Sequence, residues 1–269
     1  MTLHPKRRTA LLLAGLALAG IVLAEDQGTA PVAPTTETSA IDPAAMQALD
    51  RMGAYLRGLT SFSLRADDAV DEVLDTGQKL QITKTVEFQV RKPDRLHAEI
   101  TTDRKAREIF FDGKHFTLLA PEARYFTTVA APPTIREMLT ALETKYDIEL
   151  PLRDLFLWGD DTDAAADIQE AMRVGTSNIA GQLADHYAFR QDEIDWQIWI
   201  AQGEAPLPLR YVITTKNEPG EPQYMANLTW DTQAKPADAV FTFTPSKDDH
   251  PIAIVVQDET PATQEGNPQ

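Results

Sequence analysis

A row of apolar side chains at every second position constrains this chain more than any other feature. Leu80, Ile82, Val86, Phe88 and Val90 alternate with Gln81, Thr83, Thr85, Glu87 and Gln89, and only Lys84 breaks the row. Successive side chains of a strand project to opposite faces, so one face here is dry and the other wet. That pattern belongs to an antiparallel sheet covered on one side. Pro93-Asp94 turns the chain, and Leu96, Ala98 and Ile100 continue the apolar row on the paired strand. Further strands are expected from Phe62 onward and at Glu108–Phe111, His115–Leu119 and Arg124–Val129, with Asp112-Gly113 as a hairpin turn. After a helical middle they resume at Arg173–Ser177, Leu183–Arg190, Asp195–Ile200, Leu209–Thr215, Gln223–Asp231 and Val240–Thr244. One antiparallel sheet of about 11 strands cannot stay flat, so it is expected to curl toward a barrel.

Helices account for the remaining apolar stripes. Asp42 is a natural N-cap with Pro43 at the first helical position, Gly58 marks the stop, and Met46, Leu49, Met52 and Leu56 recur at helical spacing. Thr134-Ile135-Arg136-Glu137 reads as a capping box that opens the stripe Ile135, Met138, Leu139, Leu142 and Tyr146. A short helix is expected after Pro151, with Leu152, Leu155 and Phe156 apolar, and Asp163 to Ala171 is expected to add a turn or two. The class is therefore α+β, with helices on the apolar side of one curved sheet.

The ends carry different signals. Lys6, Arg7 and Arg8 precede an uncharged apolar run from Ala10 to Leu23, and Val22-Leu23-Ala24 suits cleavage. The run falls short of the ~20 apolar residues of a membrane-spanning helix. Residues 1–24 therefore read as a secretory signal peptide cleaved after Ala24, with nothing spanning the membrane after processing. No cysteine occurs, which excludes a lipid-modified N-terminus, disulfides and thiol chemistry. Residues 25–40 and 257–269 read as disordered spacer and tail, leaving residues 41–256 as one domain. The chain holds 25 Lys and Arg against 41 Asp and Glu, a formal −16. Losing the three basic residues of the leader, and no acid, leaves 22 against 41, or −19. Such a surface repels nucleic acid and anionic membranes.

Chemistry is harder to find. His97, His115, His186 and His250 are widely separated, and none has metal-ligand spacing, so no metal and no cofactor is expected. His97 and Glu99 share the polar side of one strand and read as surface residues. Asp160-Asp161-Thr162-Asp163 lacks the glycine and distal glutamate of a calcium loop and reads as a solvated turn. There is no nucleophile elbow and no phosphate-cradling loop. Carboxylates are plentiful enough to hold a pair for glycoside hydrolysis, which only geometry reveals. No enzyme is expected. Tyr187, Phe189, Trp196 and Trp199 concentrate on adjacent strands, where aromatic residues either line a cleft or pack the sheet.

Four segments carry a resemblance. Leu59-Thr60-Ser61-Phe62 follows the first helix, and the strand from Val86 to Lys92 ends at Pro93 before an alternating strand from Leu96. Asp112-Gly113-Lys114 makes a turn, and Phe241-Thr242-Phe243-Thr244-Pro245 makes a closing segment. In this order, from Asp42 to Pro245, they resemble the periplasmic lipoprotein-carrier fold of LolA and LolB. Asp185 to Arg190 and Asp195 to Ile200 look like a branch of predicted periplasmic proteins with that fold. The resemblance implies an unclosed barrel whose concave apolar face lies under a helical lid. In that family an arginine before the proline ties the lid; Lys92 stands there, with Arg91 beside it, and lysine offers a point charge instead of a planar fork.

Two functions follow as expectations. The first is a periplasmic binder or carrier of an apolar ligand, either a lipid or the acyl chain of a lipoprotein. Its ligand would lie on Ile82, Val86, Phe88, Val90, Leu96, Ala98 and Ile100 beneath the lid stripe Ile135, Met138, Leu139 and Leu142. The second is an envelope-stress sensor on the same fold, whose partner is a periplasmic or membrane-anchored protein, with Ile252 to Val256 as a pairing edge.

Overall fold

The computed structural model describes residues 40–157 and 165–254. The leader 1–24, almost all of the spacer, the run Asp160 to Asp163, the last residues of the expected pairing edge and the tail 257–269 lie outside them.

The described residues open with α1 (Pro43–Gly58), where the Asp42 carboxylate accepts from Ala44 N at 2.8 Å and Pro43 occupies the first turn. Six strands follow: β1 (Ser61–Val73), β2 (Lys79–Arg91), β3 (Arg95–Thr102), β4 (Ala106–Phe111), β5 (His115–Ala120) and β6 (Tyr125–Ala130). Then come α2 (Ile135–Tyr146) and the short α3 (Arg153–Leu157). The strands resume as β7 (Glu170–Ile179), β8 (Gln182–Arg190), β9 (Ile194–Ala201), β10 (Pro208–Thr215) and β11 (Gln223–Asp231), and β12 (His250–Pro251) ends the set. The capping box of α2 is present: Glu137 N donates to Thr134 Oγ1 at 3.2 Å, and that hydroxyl donates to Glu137 Oε2 at 2.8 Å. The Asp112-Gly113 turn also forms. Gly113 sits at φ 85°, and a Cβ there would fall 2.6 Å from an Arg95 nitrogen, so the turn needs glycine.

All twelve strands join one sheet in the order β12-β6-β5-β4-β3-β2-β1-β11-β10-β9-β8-β7. Sheet neighbours pair antiparallel, β1 with β11 among them, except that β12 runs parallel to β6. The edges β12 and β7 do not meet, so the sheet is an open α+β sheet and not a closed barrel. Two elements differ from expectation. Val240–Thr244 forms no strand: Asp238–Phe241 is a single 3-10 turn and the following residues cross the sheet instead of joining it. Glu170 and Ala171, expected to be helical, already belong to β7, where Phe189 pairs with Ala171.

The inner face divides between two helices. On β1 to β5 and β11 the apolar rows meet α2, and Ile135, Met138, Leu139 and Leu142 pack with Val86, Phe88, Val90, Leu96 and Ala98 in one buried cluster. On β8 and β9 the rows meet α1, where Ala45, Ala48, Leu49 and Met52 pack against Tyr187, Phe189, Trp196 and Ile198. Small residues at Ala45 and Ala48 let α1 lie close to the aromatic side chains beneath it.

Part of the outer face of β3 to β6, around His97 and Thr117, is buried as well, which the alternation did not foretell. The residues after β11 cross it as a strap. Arg91 pairs with Asp238 and lies 5.3 Å from the Phe241 ring, while Phe243 packs on Phe110 at 5.4 Å and Phe126 at 4.9 Å. His97, expected at the surface, is only 6% exposed and lies 4.8 Å from the Phe110 ring. The strap supplies the apolar cover that a two-residue period cannot announce.

Candidate ligand-binding site

Where α1 and α2 divide the inner face, packing is incomplete. A cavity of about 360 Å³ opens there. Met52 of α1, Leu155 and Leu157 of α3, Ile194, Trp196 and Ile198 of β9, and Tyr211 and Ile213 of β10 line it, with Gln191, Arg153 and Asp154 as its polar members. Local sequence explains the opening. α3 has five residues and turns Phe156 toward the α2 side, within 5.3 Å of Phe88 and 6.3 Å of Phe62. Leu155 and Leu157 are left to edge the gap. The floor is rigid: Trp196 stacks on Phe189 at 4.2 Å, and its indole N–H donates to Gln191 Oε1 at 3.1 Å.

A second recess of about 290 Å³ adjoins the first. Arg153, Asp154, Tyr211 and Ile213 belong to both linings, and Lys84, Glu149, Leu150, Pro151, Leu152 and Tyr224 complete the second. Behind it Asp68 is buried in the apolar row of β1, directly opposite Lys84 on β2. Tyr224 donates to Asp68 Oδ2 at 2.7 Å, and the Lys84 ammonium stands 3.6 Å from that oxygen. Asp68 Oδ1 has no hydrogen-bond partner among the described residues. Burial pushes the Asp68 carboxyl up, and its bonds to Tyr224 and Lys84 oppose the shift. Burial also pushes both phenols up, so Tyr211 and Tyr224 stay protonated donors at neutral pH. Asp154 is reached by solvent through the mouth, yet the protein mass around it pushes its carboxyl up against the pull of Arg153. Arg153 pairs with Glu143 at 2.6 Å, while its Nε is buried without a partner among the described residues. Among the described residues no group of three or more His, Asp or Glu is placed to hold a metal ion.

The residues singled out from the sequence fall elsewhere. Val86, Phe88, Val90, Leu96 and Ala98 are fully buried beneath α2, with Ile82 and Ile100 half-buried, and none lines the cavity. Ile135, Met138, Leu139 and Leu142 are 5%, 0%, 2% and 2% exposed, so no space remains under them. Lys92 fastens α1 instead: its ammonium donates to Leu56 O at 2.7 Å, in the last turn. Arg91 holds the strap. Of the aromatic group, Trp196 lines the chamber, whereas Trp199 lies on the outer face, stacked on His186 at 4.0 Å. Asp68, Arg153, Asp154, Tyr211 and Tyr224 escaped notice. A usable signal existed, since Asp68 and Lys84 each interrupt an apolar row, and β1 and β2 pair them directly.

Residues 45–255 match the family described as predicted periplasmic protein (DUF2092). The chain belongs to this family. No curated protein matches it in sequence. Among solved structures it is similar to the Mycobacterium tuberculosis lipoprotein LppX, at 15% identity over 72% of this chain and 98% of that one, with a TM-score of 0.46. It is similar to the MucA/MucB complex of Pseudomonas aeruginosa, at 15% identity over 75% of this chain and 61% of that one, with a TM-score of 0.39. A LolA superfamily protein from Nitrosomonas europaea shares 9% identity over 74% and 97% of the respective chains, with a TM-score of 0.35. Among the described residues of this family member, no helix is long and apolar enough to cross a membrane.

Proposed function

We propose that this protein is a periplasmic binder or carrier of an apolar ligand, a lipid or an acyl chain, exported by a leader cleaved after Ala24. The observation that carries this reading is the chamber between α1, α3, β9 and β10. Among the described residues it stands open beside the polar recess, and its walls are mostly hydrocarbon and aromatic ring. Its 360 Å³ lies within the range of small-ligand sites. Each buried methylene contributes about 0.8 kcal/mol, so roughly ten approach the free energy of micromolar binding before association costs. The site needs no reactive group for this task.

The test is titration of the mature protein with N-phenyl-naphthylamine, whose fluorescence rises in apolar surroundings. Saturable binding is expected, and Ile213→Trp, which fills the chamber from β10, is expected to abolish it with the far-ultraviolet dichroism unchanged. Absence of binding to the wild type would overturn the reading. Equal binding to a folded Ile213→Trp protein would place the ligand elsewhere.

A further inference from the structure

The balance of charge around the two cavities indicates what kind of head the ligand carries, an inference that rests on the binding reading above. Chamber and recess share Arg153, Asp154, Tyr211 and Ile213, so a chain seated in the first leads its head to the second. Two cations line the recess, and each is already matched. The Lys84 ammonium stands 3.6 Å from Asp68 Oδ2, and Arg153 pairs with Glu143 at 2.6 Å. Glu149 and Asp154 line it as well, and among the described residues their carboxylates form no ion pair. Two cations therefore face four carboxylates, and the surplus negative charge lies on the two that are exposed to an incoming ligand.

The fold already seats one ammonium in such surroundings. Lys84 Nζ lies 5.4 Å from the centre of the Tyr224 ring, with Asp68 on its other side. A cation is drawn to the face of an aromatic ring and to a carboxylate alike, and the two attractions add. Tyr211, 5.5 Å from Tyr224, offers the same setting without a cation. Burial pushes its phenol up most, against its bond with Tyr224, and the charges of Asp154, Asp68 and Glu149 push it further, so three carboxylates converge on one ring. We infer that the ligand is a free amphiphile with a single cationic amine head. Its apolar chain fills the chamber, and its ammonium lies at the mouth beside Asp154, Glu149 and the Tyr211 ring. An anionic head would meet the unmatched carboxylates, and an uncharged head would leave them without a partner. The formal charge of −16 on the chain steers cations toward the protein.

Displacement of N-phenyl-naphthylamine from the wild-type mature protein at neutral pH tests the head alone. The competitors share one chain length and differ in charge: decyltrimethylammonium, decanol, decyl sulfate and the zwitterionic decylphosphocholine, all below their micelle concentrations. The cation is expected to displace the probe at about tenfold lower concentration than any of the others, the scale of two exposed carboxylates and a ring face acting on one charge. Raising sodium chloride from about 20 mM to about 300 mM is expected to shrink that preference severalfold. Weaker displacement by decylphosphocholine, whose ammonium comes with a phosphate, would support a free amine over a phospholipid as the source. Equal or better displacement by decanol, decyl sulfate or decylphosphocholine would overturn the inference while leaving the binding reading intact. The double variant Glu149→Gln with Asp154→Asn is expected to erase the preference, and an undiminished preference in the folded variant would overturn the placement of the head. If the probe fails to bind at all, the binding reading fails and this inference falls with it. The wild-type series needs no variant, so a misfolded double variant would not blunt the test.

Discussion

Met138 shows how much a single side chain can hold. It is fully buried between α2 and the sheet, in the cluster that contains Phe88 and Leu96. Truncation to alanine leaves a cavity that rigid strands cannot close, so Met138→Ala is expected to lower stability by about 2–5 kcal/mol in chemical denaturation. Probe affinity per folded molecule should not change, because Met138 does not line the chamber. His97 behaves differently. Burial under the strap pushes its imidazole down from its usual value, while Glu99 and Glu108 pull weakly the other way. The unfolded chain therefore takes up the proton first as pH falls, and the fold loses stability as pH drops through the folded value. Between about pH 7 and pH 5 the melting temperature of His97→Gln should fall less than that of the wild type. An equal fall would show that the His97 imidazole holds its proton equally well in the folded and the unfolded chain. The alternation in the sequence assigned His97 to a wet face, because alternation tells which residues share a face and not what later chain will cover it. The same limit hid the polar recess: Asp68 and Lys84 are 16 positions apart, and only the β1–β2 register reveals that their interruptions coincide.

At the scale of elements, local chemistry was legible wherever the deciding contacts are local. Asp42 caps α1, Thr134 and Glu137 cap α2, and Asp112-Gly113 makes its turn, because each signal acts within a few residues. Phe241 to Pro245 was not legible. Phe and Thr alternate there as in a strand, but the segment satisfies that alternation by laying Phe243 against Phe110 and Phe126 without joining a ladder. Lys92 likewise follows a strand that was foreseen, yet its partner, the Leu56 carbonyl, lies 36 residues away on α1. Lys92→Met keeps the apolar stem and removes that bond. It is expected to destabilise the protein by about 1–3 kcal/mol and to speed amide exchange in the last turn of α1. Unchanged exchange in that turn would mean that packing alone seats the helix.

On the scale of the whole molecule, one sheet presents more inner surface than either long helix covers. α2 seals the half built around β2 and β3, α1 seals the half built around β8 and β9, and the five-residue α3 spans the seam without filling it. The apolar rows announced a covered face, but the division of that face between helices depends on contacts distant in sequence. The expected space beneath α2 and the observed chamber beside α3 therefore differ in position although the same alternation underlies both. The most direct measurement of the account is photocrosslinking of the mature protein with a palmitoyl probe bearing a diazirine in its chain, followed by mass spectrometry of the labelled peptides. Labels are predicted on α3, β9 and β10, around Leu157, Trp196, Ile198 and Tyr211. Labels confined to α2 and the β2–β3 hairpin, or labelling that excess unlabelled lipid does not suppress, would contradict it.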